Sequence, residues 1–237
     1  IVREKKRPTT RKTRVISGTQ HLIRVDEETD DLINPDTEEK LFDFVSTFTE
    51  DKNIDSIVIQ DYDKGVITPS FLEKLVQLSK DIEVPLLVDP KRRNFLSFKH
   101  THLFKPNFKE LVEGLKADIE ITDLETIASA MDRLRKIAEH NMVMVTLSEM
   151  GIIVNQDNEY HHIPAETREI ADVSGAGDTV ISLAALCVGA ELSAIDTALL
   201  SNLAGGQVCE RPGVVPINKR QLLEEALIIQ QEEQTNS

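Results

Sequence analysis

Residues 172–179 read Asp172-Val173-Ser174-Gly175-Ala176-Gly177-Asp178-Thr179 and lead directly into the apolar run 180–190. Small residues let the backbone come close to a ligand. The N–H groups of Gly175, Ala176 and Gly177 would then project from the start of a helix. That end carries unsatisfied donors and a partial positive charge, which suits a phosphoryl group in transit. Asp178, in the first helical turn, could accept the proton of an attacking hydroxyl. Phosphoryl transfer depends mostly on positioning and electrostatics, so a modest carboxylate base is enough. The plain alternative is a helix start whose glycines serve packing and whose Asp178 offsets the helix dipole. Asp172 and the strand–loop–helix setting shift the balance toward chemistry. The loop is not a Walker A loop, because no Gly-Lys-Ser/Thr follows, and it is not G-x-G-x-x-G.

A second candidate is Lys105-Pro106-Asn107-Phe108-Lys109-Glu110. Asn107 can cap a helix and Glu110 stands at capping-box spacing, a purely structural role. The same spacing puts an amide and a carboxylate on one helix face, where they could organise Mg²⁺ and its waters beside phosphates. Both readings stand on the sequence. The third candidate is the turn from Thr146 through Ser148 to Gly151, after the apolar run 142–147. Hydroxyls and a tight turn at a strand end suit nucleotide contacts, although such turns are common.

The elements that must position these groups follow from periodicity. Residues 13–17 and 21–25 are β-rich and separated by Gly18, Thr19 and Gln20, a hairpin signal. Helices are expected at 37–50, 69–80, from about 107, at 123–140, 178–189, 193–209 and 218–230. Strands are expected at 55–60, 84–88, 101–104 and 142–147, with a hairpin of 151–155 and 160–163 around 156–158. Strands alternating with long helices imply right-handed crossovers and an α/β, doubly wound, largely parallel sheet with helices on both faces. Ligands in such sheets sit at the carboxyl ends of the strands. The Glu/Gln-rich tail after Ile229 is expected to be disordered.

The chain has 237 residues and a net charge of −14, which argues against general nucleic-acid binding through a basic footprint. The balance is uneven, with Arg3, Lys5, Lys6, Arg7, Arg11, Lys12 and Arg14 all near the start. Such a run is usually solvated, and an anionic small-molecule substrate is the second reading. No apolar run approaches membrane-spanning length and no secretory h-region follows the basic start, so a cytoplasmic protein without membrane contact is expected. Cys187 and Cys209 give no disulfide framework and read as reduced thiols. The six histidines lack metal-ligand spacing, and His161 and His162 read as structural or exposed. The chain begins at Ile1 rather than Met, so it is expected to be a piece of a longer protein.

Together, the D-x-S-G-A-G-D loop, the earlier N-x-x-E segment and the T-x-S-x-x-G turn between them resemble ribokinase-like (PfkB) carbohydrate kinases, in the family's order. The resemblance runs from residue 13 onward. It implies one ribokinase-like domain over 1–237, with a small β lid at about 10–27 and a nucleotide-binding core at about 53–230. It implies ATP and Mg²⁺ as cofactors. Asp178 would be the catalytic base, and Gly175, Ala176 and Gly177 the anion hole. Asn107 and Glu110 would support Mg²⁺ through water. Thr146, Ser148 and Gly151 would lie along ATP and Asn202 beside the adenine. Asp172 and Ser174 match positions that can hold a monovalent cation, usually K⁺.

Within the family, three stretches resemble kinases of D-glycero-D-manno-heptose 7-phosphate, which serve ADP-heptose and lipopolysaccharide core synthesis. They are 7–15 with 20–26, Asp61-Tyr62-Asp63-Lys64-Gly65, and Val88-Asp89-Pro90-Lys91. Arg14, Lys64 and Lys91 would then hold a substrate that already carries a phosphate; each could equally be an exposed charge. Ribose or fructose phosphate is the alternative acceptor. The family's first strands and its Gly-Gly-x-x-x-Asn sugar segment do not occur here, so the N-terminal part of the fold is expected to be missing. An exposed sheet edge should follow, and a non-catalytic nucleotide-binding module is a second reading. No H-x-G-H-type nucleotidyltransferase segment occurs in the chain, and Glu210-Arg211-Pro212-Gly213 departs from the family's Lys-containing turn. A homodimer through the lid strands is a further expectation of the resemblance.

Overall fold

The computed structural model describes residues 1–4, 7–17, 20–156 and 159–236. Strands β1 (Arg11–Ser17) and β2 (Gln20–Glu27) pair antiparallel as a separate two-stranded sheet. Gly18 and Thr19, the expected turn, lie outside the described residues, as do residues 157 and 158 of the second hairpin.

The main sheet has six strands in the order β3 (Ile57–Gln60), β4 (Leu86–Asp89), β5 (Leu103–Phe104), β6 (Met142–Thr146), β7 (Ile152–Gln156) and β8 (Glu159–Ile163). The first four run parallel, and β7 and β8 add on as antiparallel strands. Helices α1 (Pro35–Asp51), α2 (Pro69–Asp81), α3 (Phe108–Leu115), α4 (Leu124–Ala138), α5 (Ala176–Gly189), α6 (Ala194–Cys209) and α7 (Lys219–Asn236) complete the order.

Side chains alternate across a strand, and the alternation divides the core into two layers. Leu86, Val88, Val143 and Val145 face Phe71, Leu75, Leu111, Met131 and Leu134 of α2, α3 and α4. Leu87, Met142 and Met144 face Ile181, Ala184, Val188 and Ala198 of α5 and α6. Strands buried on both sides have no polar face, which is why they read as continuous apolar runs. The doubly wound expectation is met, and every expected element is present.

Most element boundaries shift by a residue or two, and two of the shifts have a plain physical cause. The helix expected to end near residue 230 continues to Asn236. Glu and Gln are good helix formers, so their run after Ile229 extends the helix and is not the disordered tail that composition suggested. Strand β3 starts at Ile57 rather than residue 55, because pairing with β4 begins there.

Strand β3 is one edge of the sheet, with Val58 exposed on it. Phe44 and Phe48 of α1 are also exposed, their rings stacked 6.3 Å apart. The expected open edge and apolar surface are therefore present. In the connection between α4 and β6, His140 is buried, stacks on Phe104 and shares a 2.7 Å hydrogen bond with Thr101 Oγ1.

Candidate active site

The carboxyl ends of β3, β4, β5 and β6 and the start of α5 meet at one end of the sheet. Gly175 is the N-cap of α5 at φ +86, and no side chain caps the helix. The N–H groups of its first turn have no acceptor within the helix. That of Ala176 turns back to Val173 O at 3.3 Å, leaving the N–H groups of Gly177 and Asp178 in the open first turn. Asp178 is exposed there, and the Tyr62 hydroxyl donates to its Oδ2 at 3.0 Å.

Tyr62 is held by an unusually braced turn after β3. Asp61 is buried and accepts the Asp63 N–H at 2.8 Å, and the Asn94 amide donates to its other oxygen at 3.3 Å. Burial pushes the Asp61 carboxyl above its usual range, and the bonds from Asp63 and Asn94 oppose that. Asp63 takes a left-handed φ of +56 and pairs with Arg93. Gly65 closes the turn at φ +71; a Cβ there would lie 1.9 Å from Asp31 O, so only glycine lets the two backbones meet. Partial burial, then the bond to Asp178, pushes the Tyr62 phenol up to about 12.

Below the start of α5 lies a buried ion pair. Asp89, at the end of β4, has its Oδ2 3.2 Å from Lys105 Nζ and accepts from the Gln60 amide at 2.8 Å. A Cβ on Gly177 would stand 3.9 Å from that same Oδ2. Asp89 Oδ1 is buried without a hydrogen-bond partner. Among the described residues, no group of three or more His, Cys, Asp or Glu could hold a metal by itself. Mg²⁺ is usually held by one or two carboxylates plus substrate phosphates. An orphaned carboxylate oxygen beside an uncapped helix start fits that requirement.

Asn107 and Glu110 form the capping box in full: Glu110 N–H donates to Asn107 Oδ1 at 2.8 Å, and Asn107 N–H to Glu110 Oε2 at 2.9 Å. The remaining Glu110 oxygen is paired with Lys91. Residues expected separately at the metal and at the substrate are thus one ion pair. Lys64 pairs with Glu28 at 2.5 Å, and Glu28 also receives Lys12. Arg14 stands on the exposed β1 directly opposite Arg24 and makes no ion pair among the described residues. Neither a hydrogen bond nor an ion pair links Arg14 to Lys64 or Lys91 there.

On the other flank, Thr146 ends β6 and bridges to Asn107. Ser148 has a φ of +54, and Gly151 has one of +88 where a Cβ would meet Ile163 O at 2.1 Å. Asn202 donates its amide to Pro164 O at 2.8 Å, so segment 163–165 joins Gly151 to Asn202. Asp172 accepts the Ser174 N–H at 2.9 Å and the Gly213 N–H at 3.0 Å, which braces the loop before α5.

Sequence reasoning missed three groups: Tyr62, Asp89 and Lys105. All lay inside stretches singled out there, and Asp89 and Lys105 directly follow or end apolar strands. A charged residue at the carboxyl end of a buried strand was the available signal.

A family model described as pfkB family carbohydrate kinase matches residues 1–220. Among curated relatives, the chain is 32% identical over 224 residues to the bifunctional protein HldE of Geobacter sulfurreducens, covering 94% of this chain and 45% of that one. It is 34% identical over 214 residues to the bifunctional protein HldE of Helicobacter pylori, covering 90% and 45%. The chain therefore spans less than half the length of these relatives. Among solved structures, phosphofructokinase-2 from Escherichia coli in complex with potassium superposes with a TM-score of 0.72 at 16% identity, over 85% of this chain and 65% of that one. Ribokinase from Thermotoga maritima gives 0.67 at 17% identity, over 93% and 70%. At these identities the structures speak for the fold, ribokinase-like α/β.

Proposed function

The chain belongs to the pfkB family of carbohydrate kinases, and from that premise we propose that it transfers the γ-phosphoryl group of ATP to a sugar hydroxyl, with Asp178 as the base. The observation that carries this reading is the exposed Asp178 carboxylate in the first turn of an α5 whose N-terminus has no side-chain cap. Asp178 takes the proton of the acceptor hydroxyl as its oxygen bonds to the γ-phosphorus, and the bond to ADP breaks. The first-turn N–H groups of Gly177 and Asp178, with Gly175 and Ala176 shaping the loop, hold the charge on the transferring oxygens.

Asp89 Oδ1 and, once released by Lys91, Glu110 would hold Mg²⁺ and its waters. The ion supplies charge neutralisation on the phosphates. Lys105 holds the Asp89 carboxylate in place from below through their buried ion pair. Thr146, Ser148 and Gly151 line the nucleotide, and Asn202 fixes the segment beside the adenine. K⁺ at Asp172 and Ser174 rests on the resemblance and on the potassium complex of the E. coli phosphofructokinase-2.

The finer reading is that the acceptor is heptose 7-phosphate, taken at its anomeric hydroxyl for ADP-heptose and lipopolysaccharide core synthesis. It is supported by the 61–65 and 88–91 stretches and by identity to the HldE proteins over nearly the whole chain. Lys64 and Lys91 are half-buried cations near the strand ends, each with a carboxylate partner that an incoming phosphate would replace. Arg14 would come down on the phosphate from the hairpin. Val15, Ile23 and Val25 lie on one exposed face of that hairpin, which supports pairing with a second copy. No helix among the described residues is long and apolar enough to cross a membrane. A cytoplasmic setting rests on Cys187 and Cys209, both buried and free.

The unpaired edge at β3 favours a second reading, a nucleotide-binding module that turns over only with further chain. One experiment separates them: ADP release with Mg-ATP and heptose 7-phosphate, ribose or fructose 6-phosphate, against Asp178→Asn. Sugar-dependent release lost in the variant supports the kinase; nucleotide binding with no release supports the module.

A further inference from the structure

The contact between Tyr62 and Asp178 joins residues 116 positions apart, and it occupies Oδ2, one of the two carboxylate oxygens open to an acceptor hydroxyl. The bond is not a buried structural tie. Tyr62 is 55% exposed and Asp178 is exposed, and a hydrogen bond in water contributes little net stability. Yet the turn beneath the phenol is fixed from three sides, by Asn94 on Asp61, Arg93 on Asp63 and Asp31 against Gly65. A rigid arm thus carries a displaceable tip. A phenol that titrates near 12 stays protonated throughout the working range, so Tyr62 can give a hydrogen bond to Asp178 but cannot act as the base.

We propose that Tyr62 is a substrate-displaced latch: its hydroxyl holds Asp178 Oδ2 until the acceptor hydroxyl replaces it, and so denies that oxygen to water. The inference rests on the kinase reading above. The reaction held off is hydrolysis. Asp178 would take a proton from water, the water oxygen would bond to the γ-phosphorus, and the bond to the bridging oxygen would break with its electrons leaving on ADP. Tyr62 is a positioning residue here, acting through Asp178. An acceptor must displace the phenol, so part of its binding free energy is used in doing so.

The test has two arms on this chain. It contains no tryptophan and two tyrosines, so Tyr160→Phe leaves Tyr62 as the sole emitter. A carboxylate accepting the phenol's hydrogen bond quenches that emission. Adding Asp178→Asn is expected to raise it at neutral pH; equal emission with and without the carboxylate overturns the contact. In the second arm, Tyr62→Phe is expected to raise sugar-independent ADP release from Mg-ATP. It should also lower the KM for the acceptor by roughly threefold to tenfold, the worth of one hydrogen bond. Sugar-independent release that is unchanged, including none in either protein, overturns the latch. Failure of the kinase reading looks different: no sugar raises ADP release in the unaltered chain, whatever Tyr62→Phe does.

Discussion

Lys105 Nζ lies 3.2 Å from Asp89 Oδ2 with side-chain exposures of 2% and 5%, making a buried ion pair directly under the start of the helix that carries Asp178. Two charges taken out of water depend on each other. Breaking such a pair from one side leaves an uncompensated charge and typically costs ~3–5 kcal/mol. Lys105→Met should therefore lower stability to urea by about that amount, and Asp89→Asn added to it should restore a large part. If the single variant unfolds at the midpoint of the unaltered protein, the pair is not the keystone described.

Asp178→Asn keeps the size of the side chain and most of its hydrogen bonding but removes the proposed base. Turnover should fall roughly a hundredfold to ten-thousandfold, the usual contribution of a positioned base. Nucleotide affinity measured by calorimetry should be little changed, since the loop N–H groups remain. Near-normal turnover would remove Asp178 from the role of base.

Gly65→Ala puts a methyl group where Asp31 O already stands, at a φ of +71. The strained backbone alone costs ~1–3 kcal/mol, and the clash adds to it by pushing the 61–65 turn off its seat. A lowered thermal midpoint is expected, together with raised Tyr62 emission as the phenol leaves Asp178. An unchanged melting curve would mean that the turn has slack that the structure does not contain.

His140 predicts an acid dependence. Burial first, and the nearby His100 second, lower its pKa to about 3. In the unfolded chain it titrates near ~6.5. The folded-state value is depressed, so the stabilising effect is fully present above pH ~6.5 and is lost as pH falls toward about 3. Each pH unit in that window removes up to ~1.4 kcal/mol, or about 2 kcal/mol between pH 6.5 and 5. Urea midpoints at pH 7 and 5 should separate more in the unaltered protein than in His140→Gln. Equal separations would assign the acid sensitivity to carboxylates alone.

Much of this site was legible because it sits on local signals. The loop into α5 is a contiguous run of small residues ended by Asp178, and Asn107 with Glu110 is a three-residue spacing. The strands were legible because burial on both faces leaves them uniformly apolar. What sequence could not supply was pairing across distance. Lys91 reads as a substrate cation until the fold brings Glu110 to it, 19 residues on. Tyr62 sits between Asp61 and Lys64 in a stretch singled out for its charges, and its partner is on another helix. Asp89 and Lys105 show as single charges at the ends of separate strands; only the parallel pairing of β4 and β5 puts them together. The tail after Ile229 was misread because a Glu/Gln-rich composition suits a helix as well as a disordered segment, and α7, packed on α6 through Leu222, Ala226 and Ile229, gives that run a helix to extend.

The turn that carries Tyr62 is also the root of the hairpin. Gly65 O accepts the Ile33 N–H at 2.9 Å, Arg7 donates to Lys64 O, and Lys64 reaches Glu28 just beyond β2. Hairpin and phenol therefore share one fulcrum. The contacts that seat the turn beneath the phenol are the same ones that anchor the base of the hairpin, so a substitution that loosens one should loosen the other.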